Sequence, residues 1–212
     1  MPKILVSFAL RQEGVSFERR LTQRSTKFGS VLGRLHAQEV AVYWLGIGVR
    51  DEDRFKRTLR DLRPELVINS GFAGAVRTLL EPGDFVLAEN FTSPELLKRL
   101  ETVRLFEARG RFVCLEAIAD VATKTRINSE GNVVAIDMES ARIAAVCRKL
   151  AVPIVSARMI SDRYDEGIPH VFLGKGIRQM KDLSDAIAFA GRMIELRRRL
   201  ADRLTELIAG IG

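Results

Sequence analysis

The chain has 212 residues, of which 47% are hydrophobic, and a formal net charge of +7. This length and apolar content suit one compact domain, which we expect to span residues 1–212. No apolar run approaches the roughly 18 residues of a membrane-spanning helix, and the N-terminus lacks a secretory signal pattern. The two cysteines and two histidines show no metal-ligand spacing, so we expect no metal, no other cofactor, and reduced thiols in a cytoplasmic protein.

Strands and helices alternate along the chain. Apolar runs predict strands at 3–8, 39–45, 66–69, 85–88, 111–115, 133–136 and from Pro153 onward. Helices are predicted at 52–62, from Pro94 to about 106, at 121–128, after Met138 and at the C-terminus. Residues 9–14 are predicted as a loop and 71–74 as a turn. The alternation indicates an α/β fold, a single-domain three-layer sandwich with a mixed, mostly parallel twisted sheet flanked by helices.

The last helix carries much of the positive charge. Its arginines, among them Arg192, Arg197 and Arg203, interleave with leucines, which makes one apolar stripe and one basic face. A solvated face is the simplest interpretation, and the alternative is weak contact with a polyanion or an anionic membrane surface. Because no nucleic-acid-binding motif accompanies the charge, we expect no nucleic-acid partner.

The stretch from Ala135 to Asp162 reads strand, helix, strand, with polar groups at the joints. Asp137 and Glu139 lie where the first strand gives way to the helix, and Ser161 and Asp162 follow the second strand. In an open parallel sheet, ligands bind beyond the carboxyl ends of the strands, so we expect these groups to meet over one crevice. The plainer alternatives are a favourable acid in a first helical turn for Glu139 and a cap for Asp162.

Several short motifs occur in the order found in one known family. They are Phe8–Glu13, Gly46-Ile-Gly48, Asn69–Gly74, Pro82-Gly-Asp84, Cys114–Ile118, Met138-Glu139 and Arg158–Asp162. Together they resemble the purine nucleoside phosphorylase/uridine phosphorylase superfamily, and they are most similar to its methylthioadenosine/S-adenosylhomocysteine nucleosidases. The basic C-terminal helix is also similar to that of the hopanoid-associated branch. The resemblance implies a nucleoside phosphorylase-like fold, a small nucleoside substrate and a homodimer.

The resemblance also implies roles for individual residues. The family cleaves the N-glycosidic bond of a nucleoside through an oxocarbenium-like transition state. Asp162 would then be the acid that protonates the purine, and Glu13 would orient or deprotonate a water molecule. Glu139 would bind the ribose hydroxyls above Met138. The remaining implied substrate contacts are Phe72, Ile118, Ser161 and Arg158, although Arg158 could equally be a strand-end arginine that only pairs with an acid.

Some positions depart from the family pattern. Phe72 stands where the phosphorylases have a phosphate-binding serine, and Ile118 stands where the nucleosidases usually have an aromatic residue. The connection Asn90–Ser93 is tens of residues shorter than in the nucleosidases. Candidate ligands for a phosphate or other anion are Arg11 and the backbone at Gly46 and Gly48.

The resemblance, together with Glu13, Glu139 and Asp162, implies cleavage of a purine ribonucleoside, an adenosine modified at its 5′ position. Phe72 and Glu13 favour hydrolysis, with water as co-substrate, whereas the short connection after Ala88 favours a homologue without turnover. The alternatives are phosphorolysis of the same substrates with phosphate, and a degenerate homologue that binds a nucleoside without turnover. His170, in the polar loop after Asp162, is expected to be a surface or lid residue.

Overall fold

The computed structural model describes residues 3–168 and 180–211, with side chains described up to 168 and from 187 onward. Within these ranges the strands are β1 Ile4–Phe8, β2 Thr22–Lys27, β3 Ser30–Leu35, β4 Gln38–Trp44, β5 Leu66–Asn69, β6 Phe72–Ala75, β7 Phe85–Ala88, β8 Ala108–Cys114, β9 Val133–Asp137 and β10 Ile154–Asp162. The helices are α1 Arg11–Glu18, α2 Glu52–Leu62, α3 Pro94–Leu100, α4 Val121–Ser129, α5 Ser140–Lys149 and α6 Met180–Ile211, with a short 3-10 helix at Glu89–Phe91. His170 lies outside the described residues.

All the strands belong to one sheet, in the order β2-β3-β4-β1-β5-β10-β6-β9-β8-β7. β1 lies at the centre of one half, parallel to both β4 and β5. β10 is long enough to belong to both halves of the sheet. Its first residues pair in parallel with β5, and its later residues pair with β7 on one side and with β6 on the other. β7 also pairs with β8, β8 pairs with β9, and β9 pairs with β6. Together with β10, these strands close the second half of the sheet into a five-stranded ring.

Helices cover both faces of the half around β1, which confirms the three-layer α/β fold. On one face, α1, α3 and α6 contribute Phe17, Leu100 and Leu204 to the largest apolar cluster. On the other face, α2 and α5 pack Phe55 and Ile143 against Leu5 and its neighbours. A third cluster fills the closed half of the sheet. Successive residues of β1 therefore face opposite layers, as burial on both faces of a parallel sheet requires.

Several local predictions were wrong. Part of the expected loop 9–14 is the start of α1, which forms because Phe17 packs against Phe8, with ring centroids 6.3 Å apart. Part of the expected turn 71–74 is strand β6, and α3 ends at Leu100 rather than near residue 106. The β2–β3 hairpin was not predicted, and the sheet is not simply open, since β7 pairs with β10. The helix predicted at 52–62 is confirmed as α2.

No helix in the described parts of the chain is long and apolar enough to cross a membrane.

Candidate active site

A cavity of about 210 Å³ opens at the carboxyl ends of β1, β9 and β10, beside β6. Most of the site residues predicted from the sequence line this cavity. They are Glu13, Phe72, Ile118, Met138, Glu139, Ser161 and Asp162. Two strands, helix α1 and two connecting segments thus bring together residues that lie up to about 150 positions apart in the chain. The expected crevice at the strand ends is present in the fold.

Asp162 closes one end of this cavity. It is the last residue of β10 and is only 3% exposed. Its Oδ1 accepts a hydrogen bond from the Ser161 hydroxyl at 2.5 Å, and its Oδ2 is in direct contact with Nζ of Lys124. The carboxylate caps no helix, so the plainer interpretation of Asp162 as a capping residue does not describe its contacts.

Lys124 is a cavity residue that the sequence did not single out. It lies on α4, and its side chain is 1% exposed. Besides contacting Asp162, its Nζ donates to the carbonyl oxygens of Arg163 at 2.6 Å and Glu166 at 2.7 Å. An ammonium group has three N–H donors, so all three are engaged. In the sequence, Lys124 belongs to a short polar helix and resembles a solvated surface charge, and no sequence signal distinguishes it.

Glu139 also lines the cavity. It occupies the position before the first residue of α5 but makes no capping hydrogen bond with its side chain. Its Oε1 instead accepts the backbone N–H of Gly48 at 3.0 Å, and its Oε2 lies 3.5 Å from Arg158. The carboxylate is therefore held by a loop and a buried cation rather than by its own helix.

Arg158 lies behind the cavity and is not among the residues that line it. Its guanidinium is fully buried and contacts Asp137 at 2.9 Å, the Ser70 carbonyl at 2.7 Å and Asn69 at 3.2 Å. Burial alone would lower its pKa, but the neighbouring carboxylates of Asp137, Glu139 and Glu13 raise the pKa above its ordinary value. The structure thus places Arg158 as a support for the carboxylates that face the cavity.

Glu13 lies toward the other end of β6. Its Oε2 accepts the backbone N–H of Leu10 at 3.1 Å. Burial raises the pKa of Glu13 to about 7, against the opposing effects of the Leu10 N–H and Arg158. A side chain at Gly71, whose φ is +134°, would come within 2.9 Å of Glu13 Oε2 and 2.7 Å of Arg158 Nη1, so glycine is needed for this close approach.

Strand β6 sets the separation between the two acids. Gly71, just before β6, approaches Glu13, and a Cβ at Gly74 would lie 3.1 Å from Asp162 Oδ2. Three residues of extended strand span roughly 10 Å. Glu13 therefore lies near one end of this span and Asp162 near the other, and both line the same cavity.

The mouth of the cavity is apolar. Leu10, Ile47 and Ile118 all line it, and each exposes between 40% and 45% of its surface. Such large exposed side chains grouped around one opening are typical of a ligand-binding groove rather than of scattered surface residues.

The candidate anion ligands do not meet at the cavity. The guanidinium of Arg11 stacks over the Trp44 ring at 5.2 Å. The backbone N–H of Gly46 donates to Ala9, and that of Gly48 donates to Glu139. In the described ranges, no cluster of three or more histidine, cysteine or carboxylate groups could hold a metal ion.

Comparison with known proteins agrees with this arrangement. The model of the phosphorylase superfamily matches residues 9–100 and 89–206. The chain is 26% identical to the 5′-methylthioadenosine/S-adenosylhomocysteine nucleosidase of Staphylococcus haemolyticus over an alignment of 162 residues, with 61% of this chain and 71% of that protein covered.

Solved structures share the fold across almost the whole chain. A 5′-methylthioadenosine/S-adenosylhomocysteine nucleosidase from S. pneumoniae aligns with a TM-score of 0.76 at 20% identity, covering 99% of each chain. The futalosine hydrolase of Helicobacter pylori aligns with a TM-score of 0.72 at 21% identity, covering 98% of this chain and 97% of the other. The family match spans most of the sequence, and the chain belongs to the phosphorylase superfamily.

Proposed function

We propose that the protein hydrolyses the N-glycosidic bond of a purine ribonucleoside, an adenosine modified at its 5′ position. One observation carries this proposal: Asp162, Glu139 and Glu13 line a single cavity, with Asp162 close to Gly74 of β6 and Glu13 close to Gly71 before it. The relatives that the chain matches in sequence are named nucleosidases of methylthioadenosine and S-adenosylhomocysteine, which are both 5′-modified adenosines.

Three carboxyl groups in one cavity suit the steps of this reaction. The base binds toward Asp162, where a proton is delivered to the departing purine. The ribose lies over Met138, with its hydroxyls on Glu139. Glu13 then receives the proton of the attacking water, and a carboxyl with a pKa of about 7 is suited to this task near neutral pH.

The charges around the cavity favour water over phosphate. A phosphate dianion needs converging cations or several free N–H donors. Among the described residues that line the cavity, Lys124 is the one cation, and Asp162 and two carbonyl oxygens occupy its N–H groups. Phe72 adds an aromatic ring and no hydroxyl, and Glu13 adds negative charge. These features support hydrolysis rather than phosphorolysis.

Further properties are part of the same proposal. We expect a single domain over residues 1–212, a homodimer, and weak contact of the basic face of α6 with anionic membrane surfaces. We also expect a cytoplasmic protein with reduced thiols. Burial raises the pKa of Cys114 to about 11 and that of Cys147 to about 12, so both thiols stay protonated.

The test is base release from a panel of adenosines. Adenosine, methylthioadenosine, S-adenosylhomocysteine and an adenosine with a longer 5′-alkylthio group are incubated with the protein, with and without phosphate. Free adenine and the sugar product are then identified by chromatography and mass spectrometry. Free ribose-type sugar at a rate independent of phosphate is expected.

Two other outcomes would overturn parts of the proposal. A sugar 1-phosphate formed only in the presence of phosphate would establish phosphorolysis. Binding of these nucleosides without any release of adenine would establish a non-catalytic homologue.

A further inference from the structure

The strongest unexplained feature of the cavity is the buried pair of Lys124 and Asp162. The two side chains are 1% and 4% exposed, and they come from α4 and the end of β10, 38 positions apart. Burying two charges is costly unless they are paired and fully hydrogen-bonded, and here both conditions hold. Because Asp162 is also the proposed acid, its partner Lys124 is placed to take part in the chemistry.

The hydrogen bonds define the charge state of Asp162. One of its oxygens accepts from Ser161 and the other contacts the ammonium group of Lys124. The Ser161 hydroxyl also lies 3.3 Å from the Ala73 carbonyl oxygen, so the direct contact with the Lys124 cation is what favours the ionised form of Asp162. An ionised carboxylate has no proton of its own to give to a leaving base.

We propose that Lys124 is a positioning residue that keeps Asp162 ionised at rest and supplies, through Asp162, the proton taken up by the departing base. This inference rests on the proposed hydrolysis and names the proton source within that site. Lys124 acts through Asp162 because its other two N–H groups are bound to the carbonyl oxygens of Arg163 and Glu166.

The proton balance of the step is complete. As the bond from the anomeric carbon to the purine nitrogen breaks, its electron pair moves into the purine ring. Lys124 Nζ passes a proton to Asp162 Oδ2, the carboxyl group passes it to the purine, and Lys124 is left neutral. The attacking water forms the new bond to the anomeric carbon and gives its proton to Glu13. Solvent then restores the proton of Lys124 and removes that of Glu13.

Two substitutions separate proton supply from a purely structural role. Lys124→Arg keeps the positive charge but cannot release a proton at accessible pH, so kcat should fall at least about 100-fold at every pH with little change in KM. Lys124→Met removes the cation, and a buried carboxyl without a cation favours its protonated form, so that Asp162 becomes an acid in its own right at low pH.

The experiment measures kcat and KM for an accepted adenosine from pH 5.5 to 8.5. The ratio of wild-type to Lys124→Met kcat should rise from less than about 10 at pH 5.5 to more than about 100 at pH 8.5. Because both proteins keep Glu13, its titration cancels in this ratio. Lys56→Met is the matched control, since Lys56 is also ion-paired, to Glu52 at 2.7 Å, but on the surface of α2. If Lys124→Met does not fold, Lys124→Gln, whose amide still donates to the loop carbonyls, takes its place.

Defined results would overturn the inference. Turnover by Lys124→Arg within about threefold of wild type would mean that the charge alone matters. A wild-type to Lys124→Met ratio that stays constant across pH would mean that Lys124 only stabilises the loop. Failure of the proposed function gives a different result from failure of this inference alone. In that case the wild-type protein releases no adenine, and the inference fails together with the proposed function.

Discussion

Gly48 donates its backbone N–H to Oε1 of Glu139 over 3.0 Å, a bond that joins the loop after β4 to the start of α5. Arg142, in the first turn of α5, reinforces the junction by donating to the Gly48 carbonyl at 2.8 Å. Because Arg158 approaches the other oxygen of Glu139, the carboxylate is fixed from two sides while it faces the cavity. The glycine therefore positions an acid instead of binding an anion.

Replacement of Glu139 by Gln should weaken both substrate binding and turnover. The amide removes the negative charge opposite Arg158 and one acceptor for ribose hydroxyls, and these contacts act in the ground state and the transition state alike. We expect kcat/KM for an accepted nucleoside to fall by about 100-fold, with a rise in KM. Glu130→Gln, at the exposed end of α4, is the matched control. Unchanged kinetics in Glu139→Gln would exclude a ribose-binding role.

Replacement of Asp162 by Asn should abolish base release and leave ligand binding largely intact. The amide preserves the size of the side chain but cannot pass a proton, so we expect kcat to fall by a factor of about 100 to 10,000. Adenine binding measured by calorimetry and the thermal unfolding midpoint report on the site and on the fold. Asp53→Asn, on the exposed face of α2, should behave as wild type. Full turnover by the Asp162→Asn variant would exclude Asp162 as the acid.

The pH dependence of turnover should follow Glu13. Since a general base must be deprotonated, kcat should rise with pH and reach a plateau above about 7. Glu13→Gln should lower kcat at least about 100-fold and flatten this rise. A rise that persists unchanged in Glu13→Gln would assign the titration to another group.

The same group should make the folded state less stable as pH rises. The pKa of Glu13 is about 7 in the fold and 4.5 in its ordinary state, so between these values the folded chain holds more protons than the unfolded chain. The free energy of unfolding then falls as pH rises through this window. Relative to wild type, Glu13→Gln should gain about 1–3 kcal/mol between pH 4.5 and 7.5, measured by urea unfolding at each pH. If the difference in unfolding free energy between the two proteins stays constant with pH, the pKa of Glu13 is not raised in the folded state.

The apolar mouth should tolerate large groups at the ribose 5′ position. Leu10 and Ile47 border the cavity on the side of Glu13 and Glu139, where the ribose is proposed to lie, and both are about 40% exposed. Adenosines with bulky apolar 5′ groups should bind at least as well as methylthioadenosine. Ile47→Asn should raise KM for the apolar substrates by about tenfold and for adenosine by less, because covering an isoleucine side chain contributes about 1.5–3 kcal/mol.

Leu79→Asn is the control for this prediction. Leu79 is 91% exposed in the turn after β6 and does not line the cavity, so its replacement should leave every KM unchanged. A clear preference for methylthioadenosine over all bulkier analogues would contradict a mouth that is open at the ribose 5′ position.

Local sequence pattern was sufficient where an element is stabilised mainly by its own residues. Helix α2 has an Asp51 cap, an apolar stripe ending at Leu62 and a left-handed residue at Arg63, and its predicted bounds are those observed. The pattern failed where tertiary packing overrides it. All six residues of β2 are exposed and polar, so no apolar alternation marks the strand, and only pairing with β3 creates it. Helix α1 likewise depends on the docking of Phe17 in the core.

The sequence by itself determined the α/β class, and the order of its motifs pointed to the family and to Asp162, Glu139 and Glu13. Asp162 ends β10, Glu139 follows β9, and Glu13 lies on α1 shortly after β1. β9 runs antiparallel to β10, so these residues meet because both strands pair with β6 and not because the strands share one direction. Only the tertiary structure decided which cations contact these carboxyl groups. Arg158 is turned behind the cavity, Arg11 lies over Trp44, and Lys124, on a helix that reads as solvent-exposed, reaches Asp162. The position of a long, flexible side chain is set by the elements packed around it, and this information is not carried by its neighbours in the sequence.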